Sequence, residues 1–176
     1  PLPAPAPPPP LSSHPPPPPS PPLSSIFLSV PLSFSPPRSP PQQPCSEVLR
    51  LAEMLQAPVT FFRSGKGVID ERHYLSQSFP AGHRLWADAD VVLAIGTRLK
   101  YQQMYWGLDK NLKILRIDID PTEINRITTP EVGIVAEART ALEALLPAVE
   151  RHNIPRPSRE EELKTLKDEF QAAFEE

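Results

Sequence analysis

Twenty of the 27 prolines in this 176-residue chain fall within its first 44 positions, with no glycine and no acidic residue among them. Proline lacks a backbone N–H and has a locked φ, so such a stretch is a poor source of helix interior or central strand. The chain therefore reads as two objects joined near residue 44. Residues 1–44 form a proline-rich segment whose runs at 7–10 and 15–19 favour polyproline II. Its large apolar side chains are too few to offset the entropy of ordering, and disorder is expected. Residues 45–152 read as one domain and 153–176 as a connector helix.

The 132 residues from Cys45 onward carry 17 basic and 21 acidic side chains, which argues against a nucleic-acid partner because the phosphate backbone calls for a basic face. A single cysteine, Cys45, excludes an intramolecular disulfide framework and a multi-cysteine zinc site. No apolar run approaches membrane-spanning length. The most apolar stretch near the start, 26–34, is interrupted by Ser29, Pro31 and Ser33 and has no basic flank, so it makes a poor signal peptide. A cytoplasmic, non-membrane protein is expected. The first residue is not Met, which reads as a processed product, a fragment or a non-native stretch. Arg38-Ser39-Pro40-Pro41-Gln42-Gln43-Pro44 has the spacing that an SH3-type groove accepts, although a segment nearly half proline produces such spacing by chance.

Periodicity organises the remainder. Val48, Leu51, Ala52 and Leu55 make one apolar stripe and predict a helix over 46–56, capped by Ser46 and stopped before Pro58. A short strand over 58–62, a loop around Gly65-Lys66-Gly67 and helical character near 81–89 follow. Residues 91–96 are continuously apolar, which marks a strand buried on both faces, as in a parallel sheet. Residues 113–119 form another strand. Asp120-Pro121-Thr122-Glu123 reads as an N-cap, a proline at the first helical position and a capping-box glutamate. A strand over 132–136, a helix over 138–152 and a final helix opened by Ser158 complete the chain. Alternating strands and helices predict a Rossmann-like, doubly wound parallel sheet. Such a sheet opens with a strand, yet a parallel strand cannot be built from 31–44, so the first strand is expected to be missing. The gap would bare apolar surface and promote self-association.

Few motifs carry chemistry. Gly65-Lys66-Gly67 lacks the upstream glycine and the following Ser or Thr of a phosphate loop. His73 and His83 lack ligand spacing, Ser76 and Ser78 read as loop residues, and neither a nucleophile elbow nor a dinucleotide fingerprint is present. Ligands of open parallel sheets sit at the carboxyl ends of strands. That singles out Gly96, Thr97 and Arg98 after one strand and Asp118 at the end of the next as candidate cofactor contacts: a close turn, a forked phosphate donor and a ribose acceptor. Bland roles (a turn, a surface ion pair, loop hydrogen bonds) remain open for each. No catalytic or metal-ligating residue is assigned.

Leu51-Ala52-Glu53, Ala57-Pro58-Val59, Gly65-Lys66-Gly67-Val68-Ile69, Glu71-Arg72-His73, the run from Ala89 to Arg98 and the run from Ile117 to Ile124 together resemble the central domain of thiamine-diphosphate-dependent enzymes. That group includes acetolactate synthase, benzoylformate decarboxylase and pyruvate oxidase. The resemblance implies a six-stranded parallel sheet lying between domains that bind thiamine diphosphate and Mg²⁺. It also implies a central domain that carries FAD in some members and is structural in others. Arg98 matches an FAD-contacting arginine and Asp118 an acidic strand-end position. The sequence departs from the pattern at Tyr74, at Ala136-Glu137-Ala138, in lacking a second arginine soon after Arg98, and in its prolines before Ser46. The Gly-Asp-Gly…Asn segment of the Mg²⁺-diphosphate site is not found.

The expectation is thus a truncated central domain of a 2-oxo-acid decarboxylase or carboligase, inactive by itself. Its partners would be flanking domains or subunits of a homo-oligomeric parent. The alternatives are an NAD- or other nucleotide-binding module of the same fold, or a scaffold that docks an SH3-type partner.

Overall fold

A computed structural model describes residues 26–29, 45–61, 65–107 and 111–175. The expected disorder of 1–44 and the SH3-type motif at 38–44 lie largely or wholly outside these residues.

Six parallel strands form one sheet in the order β3-β2-β1-β4-β5-β6. They are β1 (Ile26–Ser29), β2 (Val59–Thr60), β3 (Ser76–Gln77), β4 (Val91–Ile95), β5 (Lys113–Asp118) and β6 (Val132–Val135). The helices are α1 (Cys45–Leu55), α2 (Phe79–Trp86), α3 (Pro121–Ile124), α4 (Ala138–His152) and α5 (Glu160–Glu175). A π-helical turn, Gln102–Trp106, follows β4. The parallel, Rossmann-like architecture is the one expected.

The missing first strand is a correction. β1 is present at the centre of the sheet, with Leu28 opposite Val59 on one side and Leu93 on the other. Residues 26–29 contain no proline, so a four-residue strand keeps all its donors, and the Leu28 N–H reaches the Pro58 carbonyl at 2.9 Å. The strand ends two residues before Pro31, where the ladder would lose a donor. Two smaller corrections concern 76–78. Ser76 and Gln77 are a strand paired with Val59 and Thr60, and Ser78 caps α2 by accepting from the Ala81 N–H. Ser46 sits inside α1, which begins at Cys45, and donates to Glu47.

Val92, Leu93, Ala94 and Ile95 are all buried. Consecutive strand residues point to opposite faces, so the sheet is covered on both. α1 pairs with α4 through Arg50–Glu150 and through the Asn153 amide, which donates to the Met54 carbonyl at 2.8 Å. α2 pairs with α5, whose Leu163 and Leu166 enter the same core. Arg84 and Glu169 link these two helices at 3.7 Å. Buried Gln77 donates to the carbonyl of Leu163 at 3.1 Å, tying the edge of the sheet to α5. With β1 in place, the apolar edge left open is β6, where Val132, Ile134 and Val135 are 49%, 39% and 55% exposed. No helix among the described residues is long and apolar enough to cross a membrane.

Candidate functional site

The order in which successive strands are added reverses between β1 and β4, and the crevice at their carboxyl ends is where an open parallel sheet places a ligand. Ser29 ends β1 there. Gln102, from the π-helical turn, donates to the Ser29 hydroxyl at 3.4 Å, and both residues are buried. This bond spans the crevice.

Gly96 leaves β4 at φ +66°, a conformation that costs glycine nothing, and its N–H holds the Ile117 carbonyl at 2.7 Å. Thr97 is buried, and its hydroxyl accepts from the Leu99 N–H at 3.1 Å. Leu99 is itself left-handed at φ +49° and buried, so the turn folds back into the core. The Arg98 side chain is 60% exposed, and its Nε donates to Glu123 Oε2 at 2.7 Å. Arg126 takes the other carboxylate oxygen of Glu123, whose side chain is only 8% exposed. Asp118 Oδ1 accepts from the Asp120 N–H at 3.0 Å, and Asp120 in turn accepts from the Thr122 N–H at 2.8 Å. Those two bonds initiate α3. They also correct the capping-box expectation: Asp118 has taken the N–H that Glu123 would have received, and Glu123 faces the arginines instead.

Arg116, on β5, organises this end of the sheet. It is 1% exposed. Its Nη1 donates to the carbonyls of Glu123 and Ile124 at 2.9 and 2.8 Å, and its Nη2 to the carbonyl of Arg98 at 3.3 Å. Burial pushes its pKa down, while Asp118 and Glu123 act in the opposite direction. Its Nε finds no acceptor among the described residues.

The four candidate contacts therefore lie together at the ends of β4 and β5, as the sequence suggested. Ser29, Gln102, Arg116, Glu123 and Arg126 were not singled out. Glu123 was read only as a capping-box residue, and Arg116 left the signal of a charge within the apolar run Ile114-Leu115-Arg116-Ile117. The histidines have other tasks. His73 Nδ1 accepts from the Leu75 N–H at 3.2 Å and its Nε2 lies 3.4 Å from Glu53, while His83 stacks on Trp106.

A dinucleotide such as FAD would meet side chains that are already paired here. Arg98 is paired through Nε, the Thr97 hydroxyl is buried and bonded, and Gln102 meets Ser29 across the crevice. The described residues also bring no group of three or more His, Cys, Asp or Glu side chains into metal-ligating proximity, so no Mg²⁺ position is assigned to them.

Residues 42–145 match the family described as thiamine pyrophosphate enzyme, central domain. A probable acetolactate synthase large subunit of Methanococcus aeolicus is 35% identical over 111 residues, covering 57% of this chain and 18% of that protein. A probable 2-ketoarginine decarboxylase of Pseudomonas aeruginosa is 33% identical over 132 residues, covering 70% of this chain and 23% of that protein. A pyruvate oxidase of Lactiplantibacillus plantarum is 29% identical, covering 62% and 19%. The chain spans about a fifth of the length of these curated relatives.

Proposed function

This chain belongs to the central-domain family of thiamine pyrophosphate enzymes, and from that premise we propose that it serves as the structural central domain of an acetolactate-synthase-like 2-oxo-acid decarboxylase or carboligase. The observation that carries the structural part of this reading is the bond from Gln102 to Ser29 across the crevice between β1 and β4. Gly96, Thr97, Arg98 and Asp118 then act as the frame of the sheet's carboxyl edge rather than as ligand contacts. The names of the relatives (acetolactate synthase, 2-ketoarginine decarboxylase, pyruvate oxidase and glyoxylate carboligase) support the reaction class of the parent.

In that parent, thiamine diphosphate and Mg²⁺ would be held by the flanking domains, and the cofactor would supply an electron sink for decarboxylation of a 2-oxo acid. The central domain contributes a rigid parallel sheet against which flanking domains or subunits are positioned, in a homo-oligomeric, cytoplasmic enzyme. The chain by itself is inactive. An assay of the isolated chain with pyruvate, thiamine diphosphate and Mg²⁺ tests this: no CO₂ release above the protein-free rate is expected, and sustained turnover would overturn it. The nucleotide-binding reading is tested separately by calorimetric titration with NAD, ADP and FAD, where saturable heat would favour it.

A further inference from the structure

We propose that α5 is a detachable strap: it undocks from the sheet as one unit while the strands and the α1–α4 pair stay folded, and so uncovers the corner formed by β2 and β3.

The seat of α5 is the first argument. Among its described side chains only Leu163 and Leu166 are buried, and Lys167 and Phe170 are partly so. That is a small apolar anchor for a helix of 16 residues. The surface beneath is polar. Gln77 of β3 is fully buried and donates to the carbonyls of Tyr74 and Leu163 at 2.7 and 3.1 Å. Its Oε1 and the hydroxyl of Thr60, its ladder partner on β2, are buried with no hydrogen-bond partner among the described residues. A buried acceptor without a donor costs free energy that contact with water returns, so the closed position carries a penalty that opening relieves.

The flanks are the second. A cleft of about 610 Å³ separates one side of α5 from α2, with Arg84 and Asp88 on one wall and Thr165 and Glu169 on the other. Another of about 830 Å³ lies along the opposite side, where Lys164 and Asp168 face Glu71 and Phe79. Closely interlocked elements leave no such gaps. The ties across them are polar: the exposed pair Arg84–Glu169 at 3.7 Å, and the Lys167 amine on the carbonyls of Glu71 and His73. An exposed ion pair contributes little. The third argument is the hinge. Residues 153–159 carry no helix or strand. Arg156 donates to the Leu55 carbonyl at 3.0 Å and the Arg159 N–H to Gln56 Oε1 at 3.2 Å, so the connection is fastened to the end of α1 up to the residue before α5. A swing of α5 about Arg159 leaves α4 in place.

Hydrogen exchange of the full chain, followed by peptide mass spectrometry at increasing urea, tests the proposal. The amides of 163–170 are expected to exchange together, at least about a hundredfold faster than those of β4 and with a weaker urea dependence than global unfolding. Protection of 163–170 equal to that of β4 would overturn the inference. So would exchange that rises smoothly towards Glu175 with the turn at Leu163 as protected as β4, because that is fraying of a helix end. Leu163→Ala trims the anchor and is expected to speed exchange within α5 at least about tenfold while leaving β4 unchanged. Equal acceleration in β4 would also overturn the inference, since α5 would then belong to the cooperative core. Should Leu163→Ala not fold, the comparison of α5 with β4 in the unaltered chain decides by itself.

Discussion

The guanidinium of Arg116 donates to the carbonyl of Glu123 at 2.9 Å from inside the sheet, seven residues earlier in the chain. With its bonds to Ile124 and Arg98, this cation joins β5, α3 and the turn after β4. Removing it would leave those carbonyls without their donor. Arg116→Ala is expected to lose roughly 3 kcal/mol of stability in urea unfolding. Arg116→Lys should recover only part of that loss, because an ammonium lacks the planar fork. An unchanged midpoint in Arg116→Ala would show that the buried guanidinium does not hold this end of the sheet.

β1 is the element the proline count concealed, and its contribution is measurable. Leu28 is fully buried between β2 and β4. Leu28→Ala is expected to cost about 3 kcal/mol, from lost transfer energy and the cavity left behind. A chain starting at Ile26 should unfold with the same cooperativity as the full chain, whereas one starting at Cys45 should not. If Leu28→Ala leaves stability unmoved, the central position of β1 is wrong.

Glu137 caps α4 through the Thr140 N–H at 2.9 Å and the Thr140 hydroxyl at 3.1 Å. Burial raises its pKa, but hydrogen bonds from Thr140 and Arg139 outweigh that and hold the group below its usual 4.5. A depressed carboxylate stabilises the fold above its unfolded-state pKa, and the contribution is lost as pH falls through the folded-state value. Glu137→Ala should therefore cost about 1 kcal/mol at neutral pH. The gap between the variant and the unaltered chain should narrow as pH drops below 4.5. A gap that stayed constant down to strongly acidic pH would mean that the charge of Glu137 contributes nothing.

The open edge of the sheet makes β6 the expected route to self-association, since its Val132, Ile134 and Val135 are all substantially exposed. Edge strands are protected by charge, and this one carries none within its four residues. Val135→Lys should shift the chain towards the monomeric position in size-exclusion chromatography at high concentration. An elution profile identical to that of the unaltered chain would place the association surface elsewhere.

Periodicity and local chemistry made much of the fold readable in advance. The stripe of α1, the uninterrupted apolar run of β4, the Asp120 cap followed by Pro121, and the amphipathic α5 all report on residues a few positions apart. The same locality explains the misses. Ser76-Gln77 has no strand propensity of its own and becomes β3 only by pairing with Val59 and Thr60. Glu123 stands at capping-box spacing, but Asp118 reached the Asp120 N–H and left the carboxylate to Arg98 and Arg126.

From the sequence alone came the alternating parallel architecture, the resemblance to the central domain of thiamine-diphosphate enzymes, and the clustering of Gly96, Thr97, Arg98 and Asp118 at strand ends. Hydrophobic period and the right-handed crossover rule suffice for the architecture, while the resemblance rests on the motif runs themselves. Tertiary structure alone decided that four residues between two proline-rich stretches form the central strand, and that the carboxyl edge of the sheet is internally paired. A parallel ladder and a buried ion pair both join residues far apart in the chain, so their partners become visible only when the sheet is assembled.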